Sequence, residues 1–548
     1  MNITYYVNFR HYGLSSDTQY YSGGVALKTS DEVLELSTNI VCTGMPYDYV
    51  RVLSSEPSLC VDVHLENNID GVLSRVQFNP FWSKPSFEKD LSKLSDNIQN
   101  VLIKQGNKYI AVLPLCSEDF DACVSASNDK KTLRINVSKY YDGARNLKGV
   151  FCIIAHSNNP YDAIHKSYAY AVKNGYIKAP LRSEKQLPEI YKKPGWCSWN
   201  AFYHDVTEQG IIDKMKEFQE KKIPIKWIMI DDGWSEISES DNFKIISFFE
   251  DRKKFPSGLK GCIEKLKRDY GIEQVGVWHS LTGYWYGIEH ESMMYKESIS
   301  NVLTTNSNML IPKNYDFFDR WHSYLKEQGV DFVKIDTQGN TVEFLKGKKD
   351  CVKLCTNIQQ AADKSVMKHF GGNVINCMGM SNLNSHSRPY TTLSRSSDDF
   401  FPDKENSFES HIMQNIYNAV FQSNLYFCDF DMWWTNHETA EISAILRIIS
   451  GGPVYISDKV GDTKAESIMP LLDENGELKM CSDVALPTED CLFGHDGVLK
   501  VFNRRNGKKV IAAFNLTNLP QNVDILEKNK VINNFVLEGK QAKLIEVD

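Results

Sequence analysis

The chain has 548 residues, 42% hydrophobic, 11% aromatic and 24% charged, a balance that excludes collagen-like, disordered and small disulfide-scaffold classes. Against a usual domain size of about 100–200 residues, that length predicts roughly three domains, or two if one is a large barrel. The 62 Lys and Arg against 70 Asp and Glu leave a net charge of −8, with no long basic run, so no nucleic-acid partner is expected.

The first residues, Met1-Asn2-Ile3-Thr4-Tyr5-Tyr6-Val7-Asn8, are short on apolar side chains and lack a signal h-region. Short alternating or apolar runs follow, among them Val33-Leu34-Glu35-Leu36, Leu59-Cys60-Val61-Asp62-Val63, Tyr109-Ile110-Ala111-Val112-Leu113 and Leu133-Arg134-Ile135-Asn136-Val137. Period-2 runs at this density predict an antiparallel β-sandwich over 1–185. A helix is expected around 161–174, and the polar stretch 182–188 reads as a linker.

The middle of the chain alternates strand-like runs with amphipathic helical stretches. The runs are 195–199, 224–230, 274–278, 331–336, 373–377, 391–396, 425–430 and 453–457. Between them apolar residues recur three or four apart, as in Ile211, Met215 and Phe218, in Leu259, Cys262, Ile263 and Leu266, and in Phe317, Trp321, Tyr324 and Leu325. Eight strand–helix alternations predict a (β/α)₈ TIM barrel over 186–462, a fold of about 250 residues. A doubly wound open sheet is the competing architecture. Residues 463–548 read as a small C-terminal antiparallel β-domain, with Asn506-Gly507 between two apolar runs as a hairpin signal.

In a barrel, chemistry sits where strands end at the C-terminal face. The second run ends Ile230-Asp231-Asp232-Gly233-Trp234. Asp231 and Asp232 could accept hydrogen bonds from sugar hydroxyls and Trp234 could stack on a ring face, or the set could be an Asx-turn and helix cap. In Phe332-Val333-Lys334-Ile335-Asp336, period 2 points Phe332, Lys334 and Asp336 inward, placing Lys334 beside Asp336 at the mouth. Such a lysine keeps a nucleophilic carboxylate ionised; a structural ion pair is the alternative. The sixth run ends Arg395-Ser396-Ser397-Asp398-Asp399-Phe400-Phe401, where an apolar wall could raise a carboxyl toward a general acid, or the acids could cap a loop. Trp199, Trp278, Asp429 and Asp431 lie at other strand ends.

The 13 cysteines are scattered, with no C-x-x-C, which points to free thiols in a reducing compartment. No metal-ligand spacing, dinucleotide fingerprint, P-loop or G-x-S-x-G elbow is present, and no apolar stretch approaches the ~20 residues that span a bilayer. The expectation is therefore a cytoplasmic protein with no membrane partner, no metal and no cofactor. Two carboxylates from different strand ends point to glycoside cleavage.

Several ordered stretches carry a resemblance. They are Gly195-Trp196-Cys197-Ser198-Trp199-Asn200, Ile230-Asp231-Asp232-Gly233-Trp234, Val277-Trp278-His279, Val333-Lys334-Ile335-Asp336, Ser397-Asp398-Asp399-Phe400, Asp429-Phe430-Asp431 and Ser450-Gly451-Gly452-Pro453. Together they resemble glycoside hydrolase family 36, in the branch of raffinose synthases and seed-imbibition, alkaline α-galactosidase-like proteins. The resemblance implies an N-terminal β-sandwich, a catalytic barrel, a C-terminal β-domain and retaining chemistry on α-galactosides. It implies Asp336 as nucleophile and Asp399 as acid/base, with Trp199, Asp231, Asp232, Lys334 and Arg395 around the galactosyl ring. Asn376-Cys377-Met378-Gly379-Met380 differs from the glycine-rich segment of many bacterial relatives, which leaves galactose against N-acetylgalactosamine open if Cys377 faces C2. Trp234, Trp278, Asp398 and Asp431 complete the expected substrate-binding set.

The leading expectation is a retaining α-galactosidase acting on small oligosaccharides, with its two carboxyl groups about 5–5.5 Å apart. The alternatives are a raffinose-synthase-like galactosyltransferase, an α-N-acetylgalactosaminidase and an inactive carbohydrate-binding protein. The expected partner is a small carbohydrate, and self-association into a homo-oligomer is left open.

Overall fold

A computed structural model of the chain describes residues 2–7, 10–11, 21–30, 32–42, 50–51, 58–141, 146–238, 243–404, 407–527 and 530–547. Met1 and Asn8, the ends of the N-terminal stretch read above, lie outside them.

The first part of the chain is an antiparallel β-structure in two halves. One half orders Asn2–Val7, Leu59–His64, Thr132–Ser138 and Asp121–Ser125; the other runs from Ile98–Gln105 through Lys108–Pro114, Asn146–Ser157 and Val33–Cys42 to Tyr21–Ser30. A single residue pair, Val124 with Ile98, joins them. Alternate residues from both halves, such as Val61, Val63, Ile135, Val137, Val101, Ile103 and Val112, pack into one core, which makes the structure a sandwich. The second half is covered on its other face as well. There Leu102, Ala111, Leu113 and Ala155 meet Ala163, Ile164 and Tyr168 of the helix Pro160–Lys173. Burial on both faces explains why Tyr109–Leu113 reads as a continuous apolar run rather than an alternating one.

The stretch expected as a linker is pinned to the barrel. Lys185 Nζ donates to the carbonyls of Thr391 and Leu425, and Arg182 Nε to that of Ser423. Just beyond, Tyr191 is wholly buried inside the barrel, edge-on to Trp227 and Phe332. Its hydroxyl donates to Asn373 Oδ1 at 2.8 Å. Cationic side chains on free backbone carbonyls and an aromatic plug turn a polar segment into the floor of the barrel.

Eight parallel strands follow, here β1 (Gly195–Cys197), β2 (Trp227–Ile230), β3 (Gln274–Ser280), β4 (Phe332–Asp336), β5 (Val374–Asn376), β6 (Leu393–Arg395), β7 (Phe427–Asp429) and β8 (Tyr455–Ile456). They pair in sequence, and β8 returns to β1 through Gly195 with Tyr455. An isolated parallel bridge between Trp433 and Ile456 closes the seam after β7. Gly452 permits the close approach, since a Cβ there would sit 2.0 Å from the Cys428 carbonyl oxygen. Each of the eight predicted runs contains the core of one strand.

The helical faces read from the sequence are the ones buried: Ile211, Met215 and Phe218 on Glu208–Glu220, Leu259 to Leu266 on Gly258–Tyr270, and Phe317 and Trp321 on Tyr315–Glu327. After β5 the barrel departs from the ideal, with only the helical turn Asn382–Ser385. The sandwich docks on this turn. The Asn382 amide donates to the carbonyls of Gln99 and Pro114 at 2.8 and 2.9 Å.

The tail forms the sheet Leu486–Pro487, Val498–Arg505, Lys508–Asn515 and Ala542–Val547, beside the hairpin Gln521–Glu527 with Lys530–Leu537. The predicted Asn-Gly turn has φ of 52° at Asn506 and 78° at Gly507, as a two-residue hairpin turn requires.

Candidate active site

The inward residues of the strands build the site in two layers. Trp227, Met229, Phe332, Ile375, Leu393 and Tyr455 fill the floor. One or two pleats further along, the same strand faces carry Asp231, Lys334, Asp336, Cys377 and Arg395. Val333 and Ile335 point the other way, into the helical layer, as the period-2 reading predicts.

Asp336 is 6% exposed. Its Oδ2 accepts the Trp278 indole N–H at 2.8 Å and its Oδ1 the Thr337 amide at 2.9 Å. Burial raises its pKa above the ordinary carboxylate value, opposed by the Lys334 charge and the Trp278 bond. The expected Lys334–Asp336 ion pair takes another form. Lys334 crosses to β2 and donates to Asp231 Oδ2 at 2.8 Å. A long, flexible lysine stem reaches the neighbouring strand end, and its charge acts on Asp336 through space.

Asp231 and Asp232 are 2% and 1% exposed, and both are already hydrogen-bonded. Asp231 Oδ2 also accepts from the Cys197 thiol at 3.2 Å. Asp232 Oδ1 accepts the Tyr284 hydroxyl at 2.6 Å, and Oδ2 the Trp285 indole N–H at 2.8 Å. His204 Nε2 lies 3.1 Å from Oδ2, and that bond raises the histidine's pKa. A carboxylate offers about four acceptor positions, and with the Asp232 N–H on Asp231 Oδ1 at 2.8 Å each acid has three filled and one left.

Arg395, wholly buried, organises the opposite wall. Its Nη1 lies 3.0 Å from Asp431 Oδ1 and 3.6 Å from Cys377 Sγ. Its Nη2 donates to the Asp398 carbonyl at 2.9 Å and to Asp399 Oδ1 at 3.2 Å. The Asp399 side chain remains 32% exposed at the mouth. Desolvation by its surroundings pushes it up to about 6, with Arg395 pulling down and the Asp431 and Asp336 charges pushing up. The two acids differ in setting: Asp336 is buried and held by two N–H donors, while Asp399 lies at the rim against Arg395.

Three expected substrate-binding side chains are buried against protein partners. Trp234 is 0% exposed, packed in the helical core with its indole N–H on the Trp278 carbonyl, so no ring face is accessible. Trp278 is 1% exposed and reaches the site through its N–H rather than its ring face. Asp431 is 0% exposed and holds Arg395 and the Phe400 amide. Those partners hold its carboxyl well below the usual range. The Asp398 side chain is half-buried, with its pKa raised by desolvation. Trp199 is half-buried at the rim, edge-on to Tyr203 and His204.

A model of the family described as raffinose synthase or seed imbibition protein Sip1 matches residues 72–520. The chain belongs to this family. It is 31% identical over 449 residues to probable galactinol–sucrose galactosyltransferase 6 of Arabidopsis thaliana, covering 74% of this chain and 60% of that one. Stachyose synthase of Pisum sativum is 24% identical over 591 residues, covering 81% and 68%. The chain spans about 60% of the length of the first curated relatives it matches. Among solved structures, the GH36 α-galactosidase AgaA of Geobacillus stearothermophilus aligns over 100% of this chain and 86% of its own, with TM-score 0.59 and 11% identity. TtGalA, an α-galactosidase of Thermus thermophilus, aligns over 82% and 91% with TM-score 0.53 and 12% identity. These two likenesses establish the fold.

In this member of the raffinose synthase family, the sandwich also reaches the mouth. Trp82 packs with Cys377, Met378 and Met380, and the Arg395 guanidinium lies 5.4 Å from its ring centroid. Trp82, Tyr284, Trp285 and His204 were not singled out from the sequence. The aromatic run Tyr284-Trp285-Tyr286 directly after β3 was a usable signal; Trp82 had none, since its role depends on how the sandwich docks. Among the described residues no group of three or more His, Cys, Asp or Glu is arranged to hold a metal ion, and no helix is long and apolar enough to cross a membrane.

Proposed function

We propose that the chain is a retaining α-galactosidase that cleaves terminal α-galactosyl residues from small oligosaccharides of the raffinose or melibiose type. The observation that carries this reading is the unlike pair of acids on one mouth. Asp336 accepts two N–H donors that oppose the upward push of its burial, and Asp399 at the rim is pushed up to about 6. That is the division of labour a double displacement needs.

Protonated Asp399 gives its proton to the glycosidic oxygen as the Asp336 carboxylate attacks the anomeric carbon. The C–O bond to the leaving sugar breaks and a galactosyl ester on Asp336 forms. Ionised Asp399 then takes a proton from water, whose oxygen attacks the same carbon and frees Asp336. In this reading Asp231 and Asp232 receive sugar hydroxyls, oriented by Lys334, Tyr284 and Trp285, and Trp199 flanks the ring. Arg395 fixes Asp399, and Cys377 lies beside it.

A second reading, supported by the names of the curated relatives, replaces water with a sugar hydroxyl, making the chain a galactosyltransferase. Both readings share Asp336 and Asp399. The test is turnover of p-nitrophenyl α-galactoside and raffinose by wild type and Asp336→Asn, with product sugars identified with and without sucrose. Free galactose, lost in the variant by at least about 10³-fold, supports hydrolysis. A longer sugar formed in place of galactose supports transfer. Turnover undiminished in Asp336→Asn removes the nucleophile and both readings. The scattered, mostly buried cysteines without a C-x-x-C spacing support a reducing, cytoplasmic setting. The units are assigned as 1–185, 186–462 and 463–548.

A further inference from the structure

A second polar cavity, about 440 Å³, lies between the sandwich and the barrel. The sandwich lines it with Asp96, Asp121, Asn136 and Tyr140, the barrel with Gly339 and Glu343. The sandwich residues follow from strand register. Asp121 pairs with Ser138 and Cys123 with Asn136, while the alternate Ala122, Val124, Ile135 and Val137 enter the core. The face left over is a polar rung turned toward the barrel.

That rung has unused acceptors. Asp121 is 8% exposed, and its Oδ2 accepts the Tyr140 hydroxyl at 2.9 Å. Its Oδ1 is buried and accepts from no side chain. Burial pushes the carboxyl up to about 6 against hydrogen bonds from the Tyr140 hydroxyl and the Ala122 backbone N–H, so the acceptor form prevails at neutral pH. On the adjacent strand the Asn136 amide nitrogen donates to Ser125 Oγ at 2.8 Å, while its Oδ1 is buried and unpartnered. Buried acceptors are rarely left without donors, so two lining one cavity leave places that donors from solvent or a ligand can fill.

The charge of the lining narrows the ligand. Asp96, Asp121 and Glu343 face one cation, Lys346, which disfavours anions. What fits is a donor-rich molecule without negative charge, and the volume falls within the about 300–1,000 Å³ of small-molecule sites. We propose that this cavity is a second saccharide site, distinct from the barrel mouth, that takes a neutral mono- or disaccharide through hydroxyl donors to Asp121 and Asn136.

The site touches the catalytic framework. Gly339 lies three residues after Asp336, its N–H donates to the Met378 carbonyl at 2.7 Å, and a Cβ there would sit 1.9 Å from the Pro80 carbonyl oxygen. A saccharide in the cavity therefore rests on backbone continuous with β4 and with the turn that carries Trp82.

The test is calorimetric titration of the full chain carrying Asp336→Asn with melibiose. The expected result is two sites per chain, one of which weakens at least about tenfold in Asp121→Ala and Asn136→Ala. Asp96 and Glu343 are exposed, so Asp96→Ala and Glu343→Ala test the same site even if the buried substitutions disturb folding. Should the barrel not bind melibiose, one site remains, and its loss in the lining variants still supports the proposal. Melibiose binding unchanged in every lining variant overturns it, as does binding of spermidine there with none of melibiose.

Discussion

The indole N–H of Trp278 donates to Asp336 Oδ2 over 2.8 Å, with both residues almost wholly buried. The bond favours the carboxylate, so it offsets part of the burial that raises Asp336. Trp278→Phe keeps the apolar body and removes the donor. Asp336 then titrates higher, and the acidic limb of kcat/KM moves upward by about one pH unit, with about tenfold less activity below it. A full pH–rate profile checks this, and an unmoved acidic limb rejects it.

Lys334 and Asp231 form a buried ion pair, with side chains 6% and 2% exposed. Removing one member of such a pair leaves an uncompensated charge, at a cost of about 3–5 kcal/mol. Lys334→Met is expected to lower the Tm markedly. The double variant Lys334→Met with Asp231→Leu is expected to recover most of that stability without recovering activity. Calorimetric melting of the three proteins decides it.

In the proposed mechanism Asp399 sets the opposite limb. Its pKa is raised to about 6, so the protonated form needed for the first step is present below that pH and is lost as pH rises through it. The expected profile of kcat/KM on raffinose falls above about pH 6. Asp399→Asn removes this limb and costs about 10²–10⁴-fold on raffinose, but less on p-nitrophenyl α-galactoside, whose leaving group needs little protonation. Equal losses on both substrates reject Asp399 as the acid.

Much of the barrel was legible because its strands are short apolar runs with a fixed alternation. Phe332, Lys334 and Asp336 had to share a face once β4 was a strand, and they do. What period 2 does not specify is which neighbour a side chain meets across the barrel. Lys334 beside Asp336 was the nearest reading in sequence, yet Lys334 bonds Asp231, over a hundred residues away. Trp234 reads from the sequence as a ring-stacking face beside two acids, but the turn at Gly233, φ 113°, returns it to the core. Trp82 was invisible for the converse reason: nothing local marks a residue that matters only after two domains dock.

Arg75 is the clearest case of that docking. It is 2% exposed on the sandwich strand Gly71–Gln77. Its Nε donates to Asn100 Oδ1 at 2.8 Å, Nη1 to the Met380 carbonyl at 2.9 Å and Nη2 to Asn382 Oδ1 at 2.7 Å. It therefore ties the sandwich to the segment that carries Met378 and Met380 against Trp82 at the mouth. Arg75→Met leaves three acceptors unpaired, at about 3 kcal/mol. The Tm is expected to fall, and KM to rise several-fold with kcat little changed, because the loosened segment borders the proposed sugar site without touching Asp336 or Asp399. Arg75→Lys restores charge but not the three-way fork and is expected to fall between. A lower Tm with unaltered KM would assign Arg75 to stability alone and remove the sandwich from substrate binding at this segment.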